Sequence, residues 1–179
     1  MSERTGSIKI AIIEKIAEDL KIDLGDLNNV WTNQPILMMK YGAKMSDAER
    51  TVSEEKRRID GLSSTLYNVV RSERSMNGTK TSESALESII SQIERHYSGE
   101  DSTLNLNNTF IQNLPEKVVP IARTLAAARR NYDHNKELYE IYKSAVEALR
   151  HRRDMVVQAS KKVILDYEYL NAGTFAGKK

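Results

Sequence analysis

The side chains with the clearest chemical capability in this sequence are arginines and lysines on or near the outward faces of predicted helices, or without acids at the favoured helical spacing. Such bases attract phosphate groups, because binding pairs opposite charges and releases counterions from a nucleic acid. The candidate phosphate-binding residues are Arg57, Arg58, Arg71, Arg74, Lys80, Arg130 and Arg152. The same pattern is equally typical of a solvated helical surface, so a nucleic-acid interface is one of two open interpretations.

Residues suited to catalysis or metal binding are few and scattered. His96, His134 and His151 are the only histidines, and none stands in a metal-ligand spacing such as H-E-x-x-H. The chain has no cysteine, which excludes disulfides, thiol catalysis and cysteine-based zinc sites. It has neither a phosphate-binding glycine loop nor a G-x-S-x-G nucleophile turn. We therefore expect a protein that is not an enzyme and needs no metal or cofactor.

The net charge of +2 is distributed unevenly along the chain. Residues 56–80 and 117–179 carry +4 and +6, whereas residues 1–55 and 81–116 carry −3 and −5. This asymmetry favours either a polyanionic partner or self-assembly through opposite charges. No apolar run approaches the ~20 residues that a membrane span requires, and the polar N-terminus lacks the apolar region of a signal peptide. We therefore expect a protein without a membrane partner, and the lack of cysteine fits a reducing cytosol.

Two long helices are predicted to carry the bases. Apolar residues from Met38 to Val69 follow the three-four spacing of a heptad repeat, interrupted only by Glu55. The same spacing runs from Leu125 to Leu170, and its polar positions are Asn135, Arg153 and Ser160. On the last helix Arg129, Lys136, Lys143 and Arg150 each have an acid four residues later, and all but Arg129 have one three residues earlier, which predicts a ladder of ion pairs.

The shorter elements are predicted from caps and helix breakers. A helix of about 40 residues would be roughly 60 Å long, which is too long for a small core and implies a helical hairpin, an oligomer, or both. The first predicted helix covers 8–20, is capped by Ser7 and is followed by a turn over 21–29. The next is a long helix that is capped by Thr32 or Asn33, has Pro35 in its first turn and stops at Asn77–Gly78. A helix from its cap Thr81 to Tyr97 follows, then a loop over 98–113, and then a last helix that starts between Pro115 and Pro120 and ends at Gly173.

These elements predict an all-α fold, a long antiparallel coiled-coil-like helical hairpin with short additional helices. The same heptad seams would serve pairing within one chain or between chains. The expected organisation is an N-terminal helix and turn over 1–30, an oligomerisation and DNA-binding domain over 31–172 with a helix-loop insertion at about 75–115, and a flexible tail over 173–179.

Two stretches of the sequence resemble the UvsY-type recombination mediators of T-even-like phages. The first comprises Ala145-Val-Glu-Ala-Leu-Arg150, His151-Arg-Arg-Asp-Met155 and the close Leu170-Asn-Ala-Gly-Thr-Phe175. The second is Gln34–Arg74, with a Pro-Ile-Leu start, a Lys-Tyr pair and a charged heptad helix before a glycine-containing break. Together with the order of the helices, the resemblance covers about residues 30–176.

The resemblance implies a homo-oligomer that binds single-stranded DNA. Such a protein would assist the loading of a RecA-like recombinase against a single-strand-binding protein, in the cytoplasm of an infected bacterium. Arg71, Arg74 and Lys80 match the basic residues near the helix break that the family uses for DNA. Two alternatives remain open: a scaffolding coiled-coil protein of a virion or assembly pathway without DNA contact, and a helical adaptor whose groove accepts a partner helix.

Overall fold

The computed structural model describes residues 2–78, 81–98 and 114–176, and the side chains of residues 8–170 among them. In this part of the chain there are four helices and no strand: α1 (Ser2–Leu20), α2 (Leu27–Met76), α3 (Glu83–Ser98) and α4 (Val118–Ala176). The predicted all-α class is confirmed. At ~1.5 Å per residue, the 50 residues of α2 and the 59 residues of α4 give helices of about 75 and 90 Å.

The helices form two compact units, which we call unit 1 (residues 1–48 and 138–179) and unit 2 (residues 49–137). In unit 1, the first part of α2 runs antiparallel to the second part of α4, and α1 packs against both. In unit 2, the remaining parts of α2 and α4 pair with each other and with α3. The predicted antiparallel pairing of the two long helices is thereby confirmed, with one short helix completing each core.

The core of unit 1 lies where α1 meets the two long helices. Tyr41 and Leu149 are almost fully buried there, as their heptad positions predict. In α1, the inward side chains include Ile16, whereas Ile10 and Ile13 of the predicted apolar stripe are 58% and 50% exposed. The apolar surface of α1 is wider than one packing interface, so α1 buries one side and leaves the other open.

The core of unit 2 is built around Leu66 of α2, Ile93 of α3 and Leu125 of α4, each of which is at most 1% exposed. Val70 is fully buried, whereas the predicted seam residue Val69 is only partly buried. Val70 belongs to a buried cluster to which α3 also contributes, and the heptad pattern of α2 and α4 does not include that third helix. Val118 and Ala122 extend the same cluster along α4.

Several helix ends differ from the predicted ones because other residues cap them. The backbone N–H of Asn29 donates to Oδ1 of Asp26 at 3.1 Å, so α2 starts earlier than a cap at residue 32 or 33 would allow. Pro35 therefore lies inside α2 rather than in its first turn. The N–H of Ala85 donates to the hydroxyl of Ser82 at 3.3 Å, which makes Ser82 the cap of α3 instead of Thr81.

The other limits are partly as predicted. Gly78 follows the end of α2 with a φ of 69°, the left-handed conformation that glycine adopts readily after a helix. Ser7 lies inside α1, and α4 continues through Gly173 to Ala176, so these two predicted ends were wrong. Most of the predicted loop, residues 99–113, and the last three residues of the tail lie outside the described residues.

Candidate nucleic-acid interface

The structure places most of the predicted phosphate-binding residues on unit 2. Arg57, Arg58, Arg71 and Arg74 lie on α2, and Arg130 lies on α4. Lys80 falls outside the described residues. Arg152 lies on the part of α4 that belongs to unit 1 and is not on the surface.

Arg57 and Arg58 are exposed neighbours on α2 with different partners. The Nε of Arg57 donates to the carbonyl of Ser53 one turn earlier, at 3.3 Å, and no acid pairs with Arg57 within the described chain. Arg58 lies 3.7 Å from a carboxylate oxygen of Glu55. Arg58 therefore partly neutralises the Glu55 carboxylate at its predicted seam position. Arg57 has no acidic partner within the described chain, so its charge is the more accessible to a phosphate.

At the end of α2, Arg71 and Arg74 are tied to α3 and to the residues before it. Arg71 lies 3.6 Å from Glu83, and the hydroxyl of Tyr67 donates to the same carboxylate. This hydrogen bond raises the pKa of Tyr67. The Nε of Arg74 donates to the Thr81 hydroxyl at 2.7 Å in a partly buried position. Arg71 remains largely exposed at 61%, whereas Arg74 has a structural role in holding the start of the next segment.

A basic groove that the sequence did not indicate lies between α3 and α4 in unit 2. It encloses about 500 Å³, and its charged lining residues are Glu94, Arg95, Arg129, Arg130 and Asp133. Arg129 pairs with Glu94 across the groove at 2.8 Å. Arg95 and Arg130 are exposed and have no ion pair within the described chain, and Tyr132 adds an aromatic ring to the lining.

The groove also corrects the predicted ion-pair ladder on α4. Arg129 pairs with Glu94 of α3 rather than with Asp133 one turn ahead, since the packing of α3 supplies a nearer carboxylate. Lys143 pairs with Glu140, the acid three residues before it, at 3.9 Å, and this pair is one that the ladder predicts. The charge pattern of α4 thus predicts ion pairs within that helix, but it cannot predict pairs with acids on another helix.

Arg152 has a structural role that removes it from the candidate interface. It is 5% exposed, and its guanidinium donates to the carbonyls of Leu20 and Lys21 and to the side chain of Gln34. The neighbouring Arg153, which the heptad pattern placed in the seam, is exposed and pairs with Asp154 at 2.9 Å. The end of α1 covers the side of α4 that carries Arg152, and this explains why the two arginines exchange places.

A second surface missed by charge analysis is the C-terminal part of α4. All residues from 161 to 170 are exposed, although the segment is rich in large apolar side chains. The heptad positions Val163, Tyr167 and Leu170 are 55%, 68% and 73% exposed. We call residues 161–170 the α4 end segment. The heptad pattern had predicted a seam here, and the seam is present without a partner helix in the described chain.

Within the described residues, no group of three His, Asp or Glu side chains could hold a metal ion. Among the same residues, no helix is both long enough and apolar enough to cross a membrane. Comparison with models of protein families, with curated proteins and with solved structures finds no match to this chain.

Proposed function

We propose that this protein is a homo-oligomer that binds single-stranded DNA without sequence preference and acts as a recombination mediator. In that role it would assist the loading of a RecA-like recombinase against a single-strand-binding protein, in the cytoplasm of an infected bacterial cell. The recombinase, the single-strand-binding protein and the location rest on the resemblance to UvsY-type mediators. The DNA contact and the self-association have support from side chains in the structure.

The observation that carries the DNA contact is a set of exposed arginines in unit 2 that have no ion pair within the described chain. This set includes Arg57, Arg95 and Arg130, and Arg123 of α4 shares both properties. An exposed guanidinium without a carboxylate partner can pair with a phosphate without first breaking an ion pair. Arg95 and Arg130 also line one groove with Tyr132, and an aromatic ring beside basic residues suits a nucleobase next to its phosphate.

The self-association is supported by the α4 end segment. A continuous apolar heptad stripe exposed to water is typical of a helix that pairs with another chain. An assembly of several copies would also place several basic surfaces on one DNA strand, which raises overall affinity without new contacts.

The alternative function is a scaffolding protein that assembles but does not bind DNA. It is favoured by charge balance, because residues 49–137 contain equal numbers of acidic and basic residues. In unit 2, Arg58, Arg71 and Arg129 also have acidic partners within 4 Å. A protein of this kind would need the same apolar seams and would show no affinity for nucleic acid.

The experiment is fluorescence anisotropy with a labelled oligothymidylate and with duplex DNA, each at two or more salt concentrations. We expect the wild type to bind the single strand, with affinity that falls as salt rises. Replacing Arg57, Arg95 and Arg130 by Ala should weaken binding and reduce the salt slope by about 0.7 for each phosphate that the variant no longer neutralises, or about 2 in all.

A matched control removes three exposed bases that already have acidic partners in unit 1. Lys21, Lys143 and Arg153 pair with acids at 2.6, 3.9 and 2.9 Å, so their replacement by Ala changes net charge equally but should leave the salt slope close to that of the wild type. Equal damage by both triple variants would mean that net charge, not this surface, drives binding.

The positions implied by the resemblance form a separate arm of the same assay. Replacing Arg71, Arg74 and Lys80 by Ala should weaken DNA binding relative to the wild type if the strand follows the end of α2. Because Arg74 bonds Thr81, the helicity of this variant must match the wild type before its affinity is interpreted. If the wild type binds no DNA even at low salt, the mediator proposal fails and the scaffolding function takes its place.

A further inference from the structure

The α4 end segment is exposed because α2 is too short to cover it. The indole Nε1 of Trp31 donates to the hydroxyl of Ser160 at 3.1 Å, and this contact lies near the start of α2. In an antiparallel pair, only residues 27–30 of α2 remain beyond Trp31, which is about one helical turn. Val156, one turn before Ser160, is 1% exposed, whereas Val163, one turn after it, is 55% exposed.

Unit 1 has a second open apolar surface, a groove between α1 and α4. Its volume is about 420 Å³. We call it the α1–α4 groove, and its lining residues are Ile13, Ile16, Leu20, Glu140, Ile141, Ser144, Ala145 and Ala148. The α4 side of the groove carries small residues between Ile141 and Ala148, which leave room for larger side chains from outside.

The two surfaces cannot cover each other within one chain. Ala148 and Val163 belong to the same uninterrupted helix and lie 15 residues apart, or about 22 Å along its axis. Bringing them together would require α4 to break and reverse, and the helix contains no proline after Pro120. The groove, with small residues along its α4 side, and the exposed apolar side chains of the end segment can therefore meet only between different molecules.

We propose that the α4 end segment of one copy packs into the α1–α4 groove of a second copy. This inference rests on the self-association in the proposed function and names its interface. Tyr167 and Leu170 would enter the groove above Ser144 and Ala148. Lys161 and Lys162, which have no ion pair in the described chain, would approach the Glu140 carboxylate at the rim, which Lys143 of the same helix contacts only loosely at 3.9 Å.

The contact joins two different surfaces, so it is heterologous. Each copy presents both a groove and an end segment, and repetition of the contact gives a closed ring or an open filament rather than an isolated dimer. In a closed ring every copy makes the contact twice. The area buried per copy is then twice that of a single helix-in-groove contact, which helps a short segment to hold a stable assembly.

The absence of cysteine from the chain allows a direct test by cross-linking. One protein carries Ala148→Cys in the groove and another carries Tyr167→Cys in the end segment. We expect a short bis-maleimide to link the two proteins when they are mixed and to link neither protein alone. The pair Ala148→Cys and Leu170→Cys repeats the test at a second position, and Ala127→Cys, exposed on α4 in unit 2, is the control.

The outcomes separate this interface from self-association itself. Cross-linking of the Tyr167→Cys protein alone would show that two end segments pair with each other, which overturns the inference. A multimeric wild type whose mixed variants do not cross-link also overturns it, while self-association stands. A wild type that is monomeric by light scattering at micromolar concentration overturns both.

A second variant tests the contribution of the end segment to assembly. Because Tyr167 and Leu170 are exposed in the chain, replacing both by Ser should leave helicity unchanged. Without their burial between copies, the dissociation constant of the assembly should rise by about tenfold or more. An unchanged dissociation constant, measured by light scattering across a dilution series, would contradict the proposed interface.

Discussion

Replacing Arg152 by Ala should destabilise unit 1 severely, although the sequence pattern had marked this residue for DNA. The Arg152 guanidinium donates to the Leu20 and Lys21 carbonyls, both at 3.2 Å, and to the Gln34 side-chain oxygen. Gln34 in turn donates to the carbonyl of Leu149 at 2.7 Å and is itself 5% exposed. One buried cation therefore connects the end of α1 to α2 and α4.

The magnitude follows from what the Ala variant leaves behind. Burial lowers the pKa of Arg152, so part of the hydrogen-bond energy offsets the cost of removing the guanidinium from water. Removal of the side chain leaves two backbone carbonyls and the Gln34 oxygen without their donor, at about 1–3 kcal/mol each where water cannot replace it. We expect a decrease of about 3–5 kcal/mol in the free energy of unfolding, because three neutral acceptors lose their donor together.

The assay is urea unfolding followed by circular dichroism, at one protein concentration because self-association adds to apparent stability. Arg153→Ala is the matched control, since Arg153 is the next residue, carries the same charge and is 60% exposed. It should change stability by no more than about 0.5 kcal/mol. A cost below about 1 kcal/mol for Arg152→Ala would refute the structural role and make Arg152 a candidate ligand residue again.

Two further predictions concern the same unit and its counterpart. Burial alone would raise the pKa of Asp19, but hydrogen bonds from Lys40, Tyr41 and Lys15 outweigh it and lower the value from 3.8 to about 2. The stability that ionised Asp19 contributes is therefore complete above the unfolded pKa and is lost as pH falls from about 4 to about 2. Asp19→Asn should remove this part of the acid dependence when the free energy of unfolding is measured by urea titration at each pH. If this free energy falls with pH equally in both proteins, the network adds nothing. Leu149→Asp should abolish cooperative unfolding because Leu149 is fully buried, whereas Leu62→Asp at a half-buried position should lower the free energy of unfolding by less. Native helicity and size in both variants would mean that the heptad register is wrong.

Heptad spacing predicted the long helices well because both of them bury a stripe against each other. Tyr41, Leu66 and Leu149 were placed in the seam by spacing alone and are at most 1% exposed. What spacing could not supply was the position of the third helix in each unit. The choice between Arg152 and Arg153 depends on which side of α4 receives α1, and one chain's periodicity contains no information on that contact.

The candidate interface was predictable to a similar extent. Arg57 was identified from its outward position and Arg130 from its lack of acids at the favoured spacing, and both are exposed. Arg95 was missed because it is the single base in an acidic segment, and its significance appears only when α3 lies beside Arg130 on α4. The heptad seam of the α4 end segment was predicted, but its exposure could not be predicted without the start of α2. The start of α2 is set by a cap at Asp26 that spacing did not reveal.

The two proposed activities rest on different units of the chain, and this makes them physically separable. The apolar groove and the α4 end segment belong to unit 1. Arg57, Arg95 and Arg130, which have no ion pair within the described chain, belong to unit 2. Several copies held together through unit 1 would offer a strand several copies of unit 2, so that a modest electrostatic contact per copy becomes firm attachment by multivalency. A charge-balanced unit 2 is then no obstacle to DNA binding, because affinity for a long strand depends on the number of linked contacts as well as on the strength of each.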